Sequence, residues 1–105
     1  MVSTVGGGEY KSILESTPDF WKKEFKLNFE SVFNCFHAVL PSMVKQNHGR
    51  LLCFLSTTGG LPGLSAYGAS KAACKSLLES ITAEHAKDHI TANGIFPALF
   101  PLHFL

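Results

Sequence analysis

Tyr67 and Lys71, in the run Tyr67-Gly68-Ala69-Ser70-Lys71, set a phenol and an ammonium four residues apart. On a helix that is one turn, so the two side chains share a face. At about 6 Å and an effective dielectric near 20, a lysine charge favours the phenolate by roughly 2 to 3 kcal/mol. That brings a phenol within reach of proton transfer near neutral pH. A tyrosine and a lysine at this spacing also occur by chance on helix surfaces, so the pair gains meaning only from its surroundings. Ser56 stands at the end of the apolar run 51–55, where its Oγ can emerge at the carboxyl edge of a sheet, the usual place of sites in open α/β folds. The interval that follows is short and holds Gly59, Gly60 and Gly63, so it can bring both hydroxyls into one cleft.

The elements that must position these groups are legible in the pattern. Thr17-Pro18-Asp19 opens a helix with a hydroxyl cap, a proline in the first turn and an acid near the positive end of the dipole. Phe25, Phe29, Val32, Phe36, Val39 and Met43 then recur in alternating steps of four and three, widened by Phe33 and Leu40, which marks one apolar helix face. Pro41 should bend that helix or end it early, and Asn47-His48-Gly49 stops it. The run 51–55, Leu-Leu-Cys-Phe-Leu, reads as a parallel strand covered on both faces. A second helix is expected from about Ser65 to about Lys87, with Cys74, Leu77, Leu78 and Ile81 inward, and a second strand over 90–96. Residues 1–16 show no period and read as a leader or loop; the tail 99–105 is apolar and proline-broken. Helix, strand, helix, strand in that order predict an α/β fold with parallel strands and a right-handed crossover.

Composition narrows the function. The chain has 105 residues, 46% hydrophobic and 16% charged, with a formal charge of +1. That is one domain, able to bury roughly two thirds of its unfolded surface. No basic run exists to release counterions from a phosphate backbone, so no nucleic-acid partner is expected. Cys35, Cys53 and Cys74 are odd in number and widely spaced, which fits reduced thiols in the cytoplasm, with Cys53 and Cys74 as small buried hydrophobes. The uncharged stretch 51–70 contains Gly59, Gly60, Pro62, Gly63 and Gly68, so no membrane span is expected. His85 and His89 lie one turn apart at a helix end, where partners of the helix dipole outweigh a metal pair; no metal is expected.

Taken together, Tyr-x-x-x-Lys at 67–71 and a serine at a strand end resemble the short-chain dehydrogenase/reductase family. The likeness extends to Leu27-Asn28-Phe29 with 38–43 (Ala-Val-Leu-Pro-Ser-Met), similar to the helix that carries the family's active-site asparagine. It also covers 90–98, similar to the strand and Pro-Gly turn that follow, so it spans about 17–98. The resemblance implies a partial, doubly wound Rossmann-like fold and an NAD- or NADP-dependent oxidoreductase acting on an alcohol or carbonyl, for example a 3-oxoacyl or similar ketone. It implies Tyr67 as general acid/base, Lys71 favouring the phenolate and holding the nicotinamide ribose, and Ser56 bonding the substrate oxygen. It further implies that Asn28 anchors a water at a distorted helix ladder and that Pro97 lies beside the cofactor carboxamide.

The sequence departs from the family in several places. No glycine-rich dinucleotide loop is present, since Gly6-Gly7-Gly8 has no strand before it and no helix after it, and no Asn-Asn-Ala-Gly strand is found. The Pro-Gly turn is Pro97-Ala98. The chain therefore reads as the middle of a larger enzyme, beginning just after the fourth strand, inactive by itself, and prone to form a homo-oligomer through the helices 18–47 and 65–87. The alternative expectation is a catalytically inactive, truncated isoform that serves only as a dimerising or interaction module.

Overall fold

The computed structural model describes residues 1–3, 9–56 and 60–96. It is an α/β unit of three parallel strands, β1 (Val2–Ser3), β2 (Gly49–Phe54) and β3 (Ile90–Ile95), in the order β1-β2-β3. Between β1 and β2 run α1 (Pro18–Phe25), a π turn (Lys26–Glu30) and α2 (Ser31–Gln46). Between β2 and β3 runs α3 (Ser65–His85), ending in a 3-10 turn (Ala86–Asp88).

The ends of the helices are set by local chemistry. Thr17 Oγ1 accepts the Phe20 N–H at 3.1 Å and Pro18 occupies the first turn, as the cap signal requires. Helix α2 runs straight through Pro41 to Gln46 instead of ending early. Pro41 and His37, four residues back, are both exposed, so the carbonyl that loses its partner lies on the solvated side. Asn47 then takes the left-handed conformation, φ 57°, and the His48 N–H closes on Met43 O at 3.2 Å. Gly49 follows because a Cβ there would collide with the Met43 side chain.

Where a leader or loop is expected over 1–16, the described residues include one short strand, Val2–Ser3. Val2–Ser3 pairs with Leu52 and Cys53, and the Lys11 N–H donates to Gly63 O at 2.7 Å, tying this segment to the approach to α3. A two-residue strand is too short to leave a period in the sequence. Gly6-Gly7-Gly8 and the tail 99–105 lie outside the described residues.

The core joins Val32 and Phe36 of α2, Leu51 and Cys53 of β2, Leu55, Cys74, Leu78 and Ile81 of α3, and Ile90 and Ala92 of β3. In register, Gly49 faces Ile90, Leu51 faces Ala92 and Cys53 faces Gly94, so all these strand residues share one face. Among the described residues the opposite face, with Arg50, Leu52, Phe54, Thr91, Asn93 and Ile95, is exposed or half-buried. Within this chain, β2 is covered on one face by the described residues. The two crossovers step in the same direction across the sheet, and right-handed connections then land on the same side.

Candidate active site

The site is assembled at the carboxyl edge of β2. Its last residue, Phe54, presents a carbonyl there, and Ser56 follows two residues beyond, half-buried. Gly60 and Gly63, at φ 83° and 84°, then turn the chain back, since such φ values are costly for side-chain-bearing residues. Leu64 O accepts the Gly68 N–H at 2.8 Å, and α3 begins at Ser65.

Lys71 is only 6% exposed, and its Nζ donates to Phe54 O at 3.1 Å. Among the described residues no carboxylate pairs with it. A buried ammonium without a counter-ion keeps its charge only if fixed dipoles replace water. Here the strand-end carbonyl accepts from it, and the Tyr67 ring lies nearby, its centroid 5.8 Å from Nζ. The two side chains are neighbours, as one helical turn requires. Tyr67 is half-buried in the first turn of α3, where Ser70 Oγ donates to its carbonyl at 2.8 Å.

Ser56 and Lys71 line one cleft of about 130 Å³, with Gly68 in its wall and Phe96, from beyond β3, at its rim. Asn28 is fully buried in the π turn between α1 and α2. The Ser31 N–H reaches back five residues to Lys26 O, and such a change of step leaves a carbonyl out of the regular ladder. Asn28 Nδ2 donates to Glu24 O at 3.0 Å, supplying a bond from its side chain at that junction. Pro97 lies outside the described residues. The structure thus brings Ser56 and Lys71 to one cleft and sets Tyr67 against Lys71 outside that cleft's lining, with Asn28 in the π turn.

Comparison with known proteins gives this arrangement its context. Residues 1–101 match the family model described as short chain dehydrogenase. The chain belongs to the short-chain dehydrogenase family. It is 37% identical over 93 residues to oxidoreductase UcpA of Salmonella typhimurium, covering 86% of this chain and 34% of that protein. It is 35% identical over 86 residues to epidermal retinol dehydrogenase 2 of Mus musculus, covering 80% and 28% respectively. Among solved structures it resembles a gluconate 5-dehydrogenase from Burkholderia cenocepacia, in complex with NADP and tartrate. The TM-score is 0.86 at 30% identity, covering 91% of this chain and 38% of that one. This short-chain dehydrogenase sequence therefore spans about a third of the length of the relatives it matches. The Rossmann-type α/β unit with parallel strands is that of its neighbours.

Two parts of the site escaped the sequence. One is the Phe54 carbonyl, because a main-chain oxygen carries no residue signal. The other is Cys74, read as a small buried hydrophobe. It is fully buried, and its Sγ also donates to Asn28 O at 3.1 Å. Its position three residues after Lys71, on the same inward face, was the available signal. Cys53 and Cys74 lie thiol to thiol. Contact with the Cys74 thiol, opposed by burial and aided by the Lys71 charge, holds the Cys53 thiol below its usual 9.0, at about 7. The same contact and burial push Cys74 up. His85 Nδ1 lies 3.0 Å from Asp88 Oδ2, and His89 takes a left-handed φ of 58° at the end of the 3-10 turn.

Proposed function

We propose that this chain carries the catalytic segment of an NAD(P)-dependent dehydrogenase/reductase acting on the CH–OH group of a small alcohol, or on the corresponding carbonyl. The observation that supports it best is the buried Lys71 ammonium, anchored on Phe54 O and set against Tyr67, in a cleft that also holds Ser56. In this reading Ser56 donates to the substrate oxygen and orients it. Tyr67 gives a proton to that oxygen in reduction, or takes it in oxidation. Lys71 sets its Nζ beside the phenol ring and holds the ribose hydroxyls. Asn28 anchors a water between Lys71 and solvent, and Pro97 borders the carboxamide.

NAD or NADP, when bound, supplies or accepts the hydride. The residues present suit its nicotinamide and ribose end, which needs a cation, hydroxyls and a small cleft. The sequence holds no glycine-rich loop for the pyrophosphate, so the remainder of the dinucleotide has no cradle in this chain. Residues 17–98 are in this view the catalytic part of a Rossmann-like domain, working in the reducing cytoplasm, where its three free cysteines persist.

A second reading, an inactive module that only associates, is favoured by a different observation. An apolar groove of about 310 Å³ lies between α2 and α3, and Phe33 on its wall is 40% exposed. It suits a homo-oligomer formed through the helices 18–47 and 65–87. Calorimetric titration with NADH and NADPH separates the two readings. Saturable binding of either cofactor supports the first. Its absence rejects catalysis by this chain alone and leaves the associating module. In a longer polypeptide carrying this segment, Tyr67→Phe should lower turnover by about 10² to 10⁴ with cofactor affinity retained; undiminished turnover would reject the acid/base role.

A further inference from the structure

The proposed reaction gives Cys74 no part, yet its thiol sits at a point of consequence. Asn28 belongs to the π turn, where five-residue steps replace four-residue ones. Such turns hold their shape only if neighbouring groups satisfy what the ladder does not. One neighbour is the Asn28 side chain itself, which reaches back to Glu24 O. A second comes from a different helix, 46 residues later in the chain: Cys74 Sγ donates to the main-chain oxygen of Asn28 at 3.1 Å, fully buried.

A purely apolar contact would need no such donor, and Val32, Phe36 and Leu78 already provide the packing at this layer. The direction of the thiol is itself constrained. Cys53, the residue before Phe54, packs its sulfur against that of Cys74 and within 3.6 Å of Phe54 O, the same carbonyl that anchors Lys71. From Asn28 to Lys71 there is thus one unbroken series of contacting groups: Asn28 O, Cys74, Cys53, Phe54 O, Lys71.

We infer that Cys74 is a positioning residue for Asn28, its thiol fixing the Asn28 carbonyl, and with it the π turn, relative to the strand end that holds Lys71. The inference rests on the proposed role of Asn28 for its functional meaning, and on geometry alone for its test. A thiol is suited to the place: it packs like a small hydrophobe and still donates, which valine cannot do.

The test uses the chain itself, isotopically labelled, without cofactor. Cys74→Val keeps an apolar side chain and deletes the donor; Cys74→Ser keeps a donor. In Cys74→Val the Asn28 carbonyl-carbon resonance should move upfield. Amide exchange across residues 26–32 should quicken roughly five-fold, the equivalent of one neutral hydrogen bond, with residues 39–46 unaffected. Cys74→Ser should restore both signals. If Cys74→Val fails to fold, Cys74→Ala deletes the donor without adding volume and is read in the same way. Unchanged signals on deletion of the donor, or no rescue by serine, would overturn the positioning role. Failure of cofactor binding would instead count against the proposed function and leave this result standing.

Discussion

Along α3, residues 65–74 and residues 77–85 do opposite things with their inner and flanking faces. In the first stretch three polar groups point inward and donate to main-chain carbonyls: Ser70 Oγ to Tyr67 O, Lys71 Nζ to Phe54 O and Cys74 Sγ to Asn28 O. In the second, Thr82 Oγ1 still bonds to the main chain of Ala92, but Leu77, Ser80, Ile81, Glu84 and His85 border a groove shared with Phe33, Phe36, His37 and Leu40 of α2, and the groove is left open. Carbonyls are fixed by the elements they belong to, so donors aimed at them hold a side chain to one direction. Apolar area has no direction and holds only when something covers it. One helix therefore carries a preorganised polar end and an end that calls for a partner.

The comparison predicts a graded set of responses. The largest should come from Phe36→Ala, which empties the layer common to both halves. Phe36 is 1% exposed, and its loss should cost about 3–5 kcal/mol of stability by urea denaturation. A cost under about 1 kcal/mol would mean that the core does not depend on α2.

Next comes the polar end. Asn28→Ala strips Glu24 O of its side-chain donor and should cost about 1–3 kcal/mol by the same measurement, with local loosening at the π turn. A neutral result would show the turn to be held by packing alone. At the open end, Phe33→Ser should leave stability within about 0.5 kcal/mol and weaken self-association in sedimentation velocity. A chain that stays monomeric at every concentration, before and after the change, would remove the contrast between the two halves.

A separate effect is on pH dependence. The folded Cys53 thiol ionises at about 7, below the 9.0 of the unfolded chain, so folding favours its thiolate. This contribution is fully present above pH 9 and is lost as pH falls through 7. Cys74 is shifted the other way and opposes further gain at alkaline pH. Both thiols face the Lys71 ammonium, which supports a single thiolate between them. Stability should therefore rise between pH 7 and 9, and Cys53→Ala should flatten the rise; a rise that persists in Cys53→Ala would assign it to another group.

Much of this was legible beforehand because it is local. The Thr17 cap, the four-three stripe of α2, the stop at 47–49 and the Tyr67/Lys71 turn each depend on residues within a few positions of one another, and the structure places them as the periodicity requires. The distortion expected at Asn28 is the π turn. What the sequence hid depends on distance along the chain. β1 owes its existence to a partner about 50 residues away, Leu52 for Val2, and its two residues carry no pattern of their own. Coverage of β2 looked two-sided because an apolar run has no face until the crossovers choose one.

By itself the amino-acid order determined the helices, their caps, the two long strands and the pairing of a phenol with an ammonium, since all of these follow from dihedral preference and short-range spacing. Tertiary structure alone decided that Phe54 O would anchor Lys71 and that Cys74 would donate to Asn28 O across 46 residues. A carbonyl is the same in every residue, and which donor meets it is settled only when the sheet edge and the two helices are packed together.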